Sequence, residues 1–282
     1  MYTIDDFNSI LPQEKLDEIA ENQSTSYQSA DPFPHAVFDD LFPPGFLRKV
    51  ACEFPEKGAG NWHKFDNNRE KKLASDGDEK LGPYTRSLIA NLNSGTFINF
   101  LEKLTGIEGL IPDPGLAGGG MHRIEPEGKL SVHVDFNKHN KMNLDRRLNV
   151  LIYLNEDWED SYGGHFELWN KDVSRAVVKI LPLFNRMAMF STTEISWHGH
   201  PTPLSCPPDR SRRSIALYYY TVGRDDGYGH VKDHTTIFRE RPGESLFDDV
   251  APVPLAENLK EAAKKVIPRP VIDFVKSRVG RE

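Results

Sequence analysis

His133 and Asp135 stand two residues apart in a short stretch, residues 131–137, where Val132 and Val134 alternate with them. Side chains two apart on a strand point the same way. The alternation therefore sets an imidazole and a carboxylate side by side, where both can reach one metal ion. A third ligand must come from elsewhere, and His198 and His200 offer two candidates on either side of Gly199. Two imidazoles and a carboxylate on one face of a metal leave positions open for oxygen chemistry at Fe(II). A hydrogen bond between the two side chains at a strand end would also explain the His133 and Asp135 pair. The metal reading gains from residues 212–220, a strand that opens with Arg212 and Arg213 and ends on three tyrosines. A guanidinium fork can hold a carboxylate by two parallel hydrogen bonds, which a lysine cannot do as rigidly.

These residues need a scaffold, and the chain supplies strands. Residues 147–155 form the strongest one, with Asn149, Leu151 and Tyr153 on one face and Val150, Ile152 and Leu154 on the other. An apolar run of that kind suits a sheet covered on both sides. Further short strands are expected at 33–38, 121–124, 165–169, 177–181, 185–190 and 195–198. The strand at 121–124 is expected to run beside the one carrying His133. It follows three glycines, which permit close backbone approach, and it places His122 or Arg123 for a cofactor pocket, with plain packing as the alternative. Strands this short and this closely spaced by turns indicate an all-β sandwich or barrel. The fold class is mainly β with flanking helices around a double-stranded β-helix of the jelly-roll, cupin-like type.

Helices are expected before the core. One covers 11–20 with Pro12 in its first turn, followed by a loop over 23–29. Another covers 46–54, and a helical region spans 84–104. Residues 56–84 are charged and glycine-rich, which suggests solvated surface, or else a lid or substrate edge. Residues 138–146 form a polar loop directly after Asp135, at the rim of the substrate mouth. After Thr221 the chain turns polar, with helices expected over 256–266 and 271–279. The division is thus a helical and strand region at 1–116, a core at 117–222 and an appendage at 223–282.

With 282 residues, the chain suffices for one large domain with a small appendage. Its net charge of −7 argues against nucleic acid as the partner, since phosphate binding needs a basic face. Cys52 and Cys206, its two cysteines, lie far apart and suggest a reducing, cytoplasmic compartment without a disulfide framework. No apolar stretch is long enough to span a membrane.

Several motifs occur together in order: His133 and Asp135; Arg147 to Asn155 with Trp158; Gly163 and Gly164 before His165 to Trp169; Asn185 to Phe190; His198 to Pro201; and Arg213 to Tyr218. Over residues 117–222 this series resembles the Fe(II)/2-oxoglutarate dioxygenases of the prolyl-hydroxylase-like branch. The resemblance implies Fe(II) and 2-oxoglutarate as cofactors, with ascorbate as a reductant. It implies O₂ and a prime substrate as partners, and hydroxylation of a C–H bond with release of succinate and CO₂. The prime substrate would be a prolyl or other residue of a protein, or a small molecule. In that family the distal histidine falls twelve residues after the arginine of the preceding strand motif, here Arg186, which favours His198 over His200 as the third ligand. Likewise the arginine lies immediately before an alternating aliphatic and aromatic strand, which favours Arg213 over Arg212 as the cosubstrate anchor. The Asn149, Leu151 and Tyr153 face would point into the barrel, where Tyr153 donates to the far carboxylate or is merely a buried aromatic. Arg147 and His200 would face the substrate. The competing reading is a cupin-like barrel that binds a metal or sugar without oxidation.

Overall fold

The computed structural model describes residues 10–55, 62–75, 81–227 and 231–246. Four helices precede or interrupt the first strands: α1 (Gln13–Gln28), α2 (Pro44–Cys52), α3 (Pro83–Leu92) and α4 (Gly95–Thr105). Pro12 sits at the N-cap of α1, where an absent N–H costs nothing. The helix continues through the segment expected as a loop, because Tyr27 is buried and its hydroxyl meets Ser191 Oγ at 2.9 Å. The helical region expected over 84–104 is two helices. Ser94 breaks it, and its side chain caps α4 by accepting from the Phe97 N–H. The Glu53 carboxylate accepts from the first free N–H groups of α3, at Tyr84 and Thr85.

The strands are β1 (His35–Asp39), β2 (His63–Asp66), β3 (Glu70–Ala74), β4 (Ile111–Pro112), β5 (Gly120–Ile124), β6 (Lys129–Val134) and β7 (Asp145–Tyr153). They continue with β8 (Phe166–Trp169), β9 (Ala176–Ile180), β10 (Arg186–Ser191), β11 (His198–His200), β12 (Arg212–Thr221) and β13 (Ile237–Phe238). All pair antiparallel: ten follow in the order β1-β10-β7-β12-β5-β3-β6-β11-β8-β9, while β2 pairs with β3, β4 with β12 and β13 with β6. The sheet curls on itself as a jelly roll. No helix among the described residues is long and apolar enough to cross a membrane.

One face of β7 and β12 carries the main core. Val150, Ile152, Ile215, Leu217 and Tyr219 are buried there with Leu47, Leu88, Leu92, Phe97 and Leu101 from the helices. The opposite face looks into the curl and is largely polar. Apolar periodicity on these strands therefore marks the side away from the site.

Two expectations about the strands need correction. Residues 63–74 are a β-hairpin, not simply solvated surface. Its turn is fixed by Asn67, whose side-chain oxygen accepts from the N–H groups of Arg69 and Glu70. In addition, β5 does not run beside β6. The hairpin's β3 lies between them, pairing Leu73 with Arg123 on one side and Glu70 with Leu130 on the other. The helices expected over 256–266 and 271–279 lie outside the described residues.

Leu217 is buried against the helices and points away from the polar interior. Leu217→Ala should cost about 2–5 kcal/mol of stability in urea unfolding, as buried leucine truncations do. The same variant should leave metal binding unchanged.

Candidate metal centre

The antiparallel pairing of β6 and β11 puts His198 directly opposite His133. Their ring centroids are 4.3 Å apart. Asp135, just past the end of β6, places its carboxylate 3.6 Å from His133 Nε2 and 3.3 Å from His198 Nε2. The three ligand atoms lie within 4.8 Å of one another. Each imidazole is turned by its own strand: His133 Nδ1 donates to Ser131 O at 2.9 Å and His198 Nδ1 to Ser196 O at 2.8 Å. That tautomer leaves both Nε2 lone pairs aimed at the shared space, as metal-binding histidines require. Burial, with His198 adding to it, pulls the His133 pKa down and keeps the ring neutral and ligand-ready. His198 rather than His200 therefore completes the set, and the donor atoms fit Fe(II).

The carboxylate is held from behind. Asn149 donates to Asp135 Oδ2 at 2.7 Å, and Arg146 Nη2 stands 3.2 Å from the same oxygen. Arg146 also donates from Nε to Asn149 Oδ1 at 2.9 Å. Its guanidinium is sandwiched between the rings of Tyr218 (3.5 Å) and Phe136 (4.3 Å). Burial pushes the Asp135 carboxyl up, but Arg146 first, and then His198 and His133, outweigh it and hold it well below the usual range.

Arg147 does not face this space. Between Tyr219 and Tyr220 the register with β7 slips, so that Tyr219 pairs with Leu148 and Tyr220 with Arg146. Arg147 is the extra residue of a bulge, which redirects side chains relative to strict alternation. It turns to Thr221 Oγ1 at 3.0 Å and to Asp225 and Asp226, while Arg146 takes the inward position.

The far end of the cavity corrects the second arginine. Arg212, not Arg213, points inward with Ser214 and Tyr218. Its Nε donates to Gly164 O at 2.8 Å and its Nη2 to the Tyr153 hydroxyl at 3.3 Å. Gly164 has φ +73°, and a Cβ there would stand 3.0 Å from Arg212 Cδ, so glycine makes room for this side chain. Among the described residues no carboxylate pairs with Arg212, although it is only 5% exposed. Arg213 lies on the opposite face, bonded to Ser211 Oγ and Ala51 O against Phe54. The face that Arg213 shares with Ile215 and Leu217 is the one packed on the helices.

Burial raises the Tyr153 pKa, with Arg212 opposing, so the phenol keeps its proton. Leu151, Ile124 and Phe166 give the cavity apolar walls. His122 lines it too, bonded to Gly118 O, with its pKa pushed down to about 3 by burial and by Lys72. His200 is buried there with neither ring nitrogen partnered. Beyond the metal ligands opens a mouth of about 360 Å³ bounded by His63, Phe65, Lys72, Phe136, Arg146 and Tyr218. Lys72 pairs with Glu70 at 3.1 Å. Arg146 lies at the end of the segment expected as the rim and Lys72 within the one expected as surface or substrate edge, but neither is singled out by spacing, because a bulge and a hairpin insertion bring them in. Tyr218 was available from its alternation with Arg212.

Residues 119–220 match the model of the 2OG-Fe(II) oxygenase superfamily. Two solved structures share the fold. A Pseudomonas putida prolyl-4-hydroxylase is 15% identical with a TM-score of 0.50, over 75% of this chain and 99% of that one. A Trichoplax adhaerens prolyl hydroxylase, in complex with a hypoxia inducible factor peptide fragment, is 17% identical with a TM-score of 0.51, over 73% of this chain and 91% of that one. No curated protein matches the chain in sequence.

The geometry separates the two histidines of β11. His198→Ala should weaken Mn(II) binding by more than the ~10–100-fold typical of losing a partner behind a ligand. His200→Leu should retain it. Titration of Mn(II) followed by electron paramagnetic resonance reads both, and metal retained by the first variant would overturn the assignment.

Proposed function

We infer that this chain, which belongs through residues 119–220 to the 2OG-Fe(II) oxygenase superfamily, is a hydroxylase whose keto-diacid cosubstrate is anchored by Arg212. The observation that carries the assignment is a buried guanidinium with no carboxylate partner among the described residues, lining one cavity with His133, Asp135 and His198. An uncompensated buried cation is costly and calls for an anion. With Fe(II) and 2-oxoglutarate bound, the enzyme uses O₂ to hydroxylate a C–H bond while releasing succinate and CO₂.

The protein's own part is positioning. His133, Asp135 and His198 would hold the metal on one side. Arg212 would grip the distal carboxylate with its fork, and Tyr153, still protonated, would donate its hydroxyl to the same group. Leu151, Ile124 and Phe166 would give the methylene chain an apolar bed. Asn149 and Arg146 fix the Asp135 carboxylate.

The prime substrate enters through the mouth at Phe65, Phe136 and Tyr218. Its size suits one side chain of a protein, such as a prolyl residue, or a small molecule. The two free cysteines support a reducing, cytoplasmic setting.

Purified protein with added Fe(II) should release succinate from 2-oxoglutarate even without prime substrate, and no release under any condition would defeat the reading. Arg212→Lys keeps a cation but loses the fork, and should raise the KM for 2-oxoglutarate about tenfold or more. Arg213→Lys should leave it within twofold.

A further inference from the structure

His200 is the polar side chain in the cavity that the ligand geometry leaves without a task. It is 3% exposed, and neither Nδ1 nor Nε2 has a hydrogen-bond partner. In either tautomer one ring nitrogen carries a hydrogen that no group among the described residues accepts. Burying such a donor is unfavourable unless something occupies the space beside it. His200 is not a member of the metal-ligand cluster, which His133, Asp135 and His198 complete. Nor is it a packing residue by chemistry, since a leucine would fill the same place without a polar atom to satisfy.

Its surroundings say what the missing acceptor is. The β6–β11 register shifts between His198 and His200, and both rings line the same cavity of about 80 Å³. Arg212 and Lys72 line that cavity with His200. An imidazole N–H beside a guanidinium and an ammonium offers a donor to an anion that those cations attract.

We propose that His200 binds the distal carboxylate of the keto-diacid alongside Arg212, making this end of the cavity selective for a second carboxylate. The proposal rests on the cosubstrate reading above and adds a residue to it. Arg212 supplies the charge and Tyr153 one hydroxyl. His200, from the opposite strand, supplies a donor on the other side of the same carboxylate, so a keto acid lacking that group gains nothing from it.

The test is calorimetric and needs no turnover. The full chain is loaded with Mn(II) and titrated with 2-oxoglutarate and with 2-oxobutyrate, which lacks the distal carboxylate. Failure of the unaltered protein to bind 2-oxoglutarate would remove the cosubstrate reading itself, before His200 is considered. Given that binding, His200→Leu should weaken 2-oxoglutarate by roughly tenfold, the scale of a hydrogen bond to a charged group. The variant should leave 2-oxobutyrate and Mn(II) within twofold. His200→Gln restores a donor and should recover most of the loss. A leucine variant that binds 2-oxoglutarate like the unaltered protein overturns the proposal. So does an equal loss for both keto acids, or a glutamine variant as weak as the leucine one.

Discussion

The site depends on one strand pairing. His198 meets His133 across β6 and β11, and the close approach there requires Gly199. A Cβ at that position would lie 2.7 Å from Leu130 O and 2.9 Å from Ser131 O. The carbonyl of Ser131 is the one that orients His133. Any side chain at residue 199 would push on the acceptor that fixes one ligand while displacing the strand that carries another. Metal geometry and backbone register are thus a single constraint, set by the absence of a methyl group.

Around that pairing the sheet divides its labour by face. On β7 and β12 the apolar residues go outward to the helices, where Leu47, Leu88, Phe97 and Leu101 supply the burial that stabilises the fold. The inward residues Asn149, Tyr153, Arg212, Ser214 and Tyr218 are polar or amphipathic, and Tyr218 donates its hydroxyl to Gly118 O. A polar barrel interior is tolerable because nearly every group in it is partnered: Asn149 with Asp135, Arg146 with Asn149, Arg212 with Gly164 and Tyr153. The exceptions stand out for that reason.

Much of this was legible in the residues. Period-two alternation sets His133 beside Asp135, and the resemblance points to His198 and to an inward face of Asn149, Leu151 and Tyr153; the fold clusters the same three candidate ligands. Both arginines stand one residue from the position that faces the cavity, for different causes. The resemblance favours Arg213 for its place immediately before the aliphatic and aromatic strand, yet Arg213 shares a face with Ile215 and Leu217, which pack on helices that strand periodicity does not reveal. Arg147 is turned aside by a bulge, and a bulge is a property of two strands together. The β2–β3 hairpin was hidden by its charge: Lys72 and Glu70 read as surface, although they pair at the rim of a cavity.

The electrostatics of the interior balance on the metal side of the cavity and not at the far end. Asp135 is offset by Arg146, and Glu70 by Lys72, so these pairs leave no net demand. Among the described residues lining the cavity, Arg212 has no carboxylate paired with it, and the low polarizability of its surroundings makes its charge act strongly over the length of the cavity. Fe(II) held by His133, Asp135 and His198 would add two positive charges at the other end, where the one carboxylate is already matched by Arg146. A dicarboxylate reaching from that metal to the guanidinium would meet positive charge at both of its ends. On the proposed reading, recognition of the cosubstrate would rest on where these cations stand, more than on the shape of the walls between.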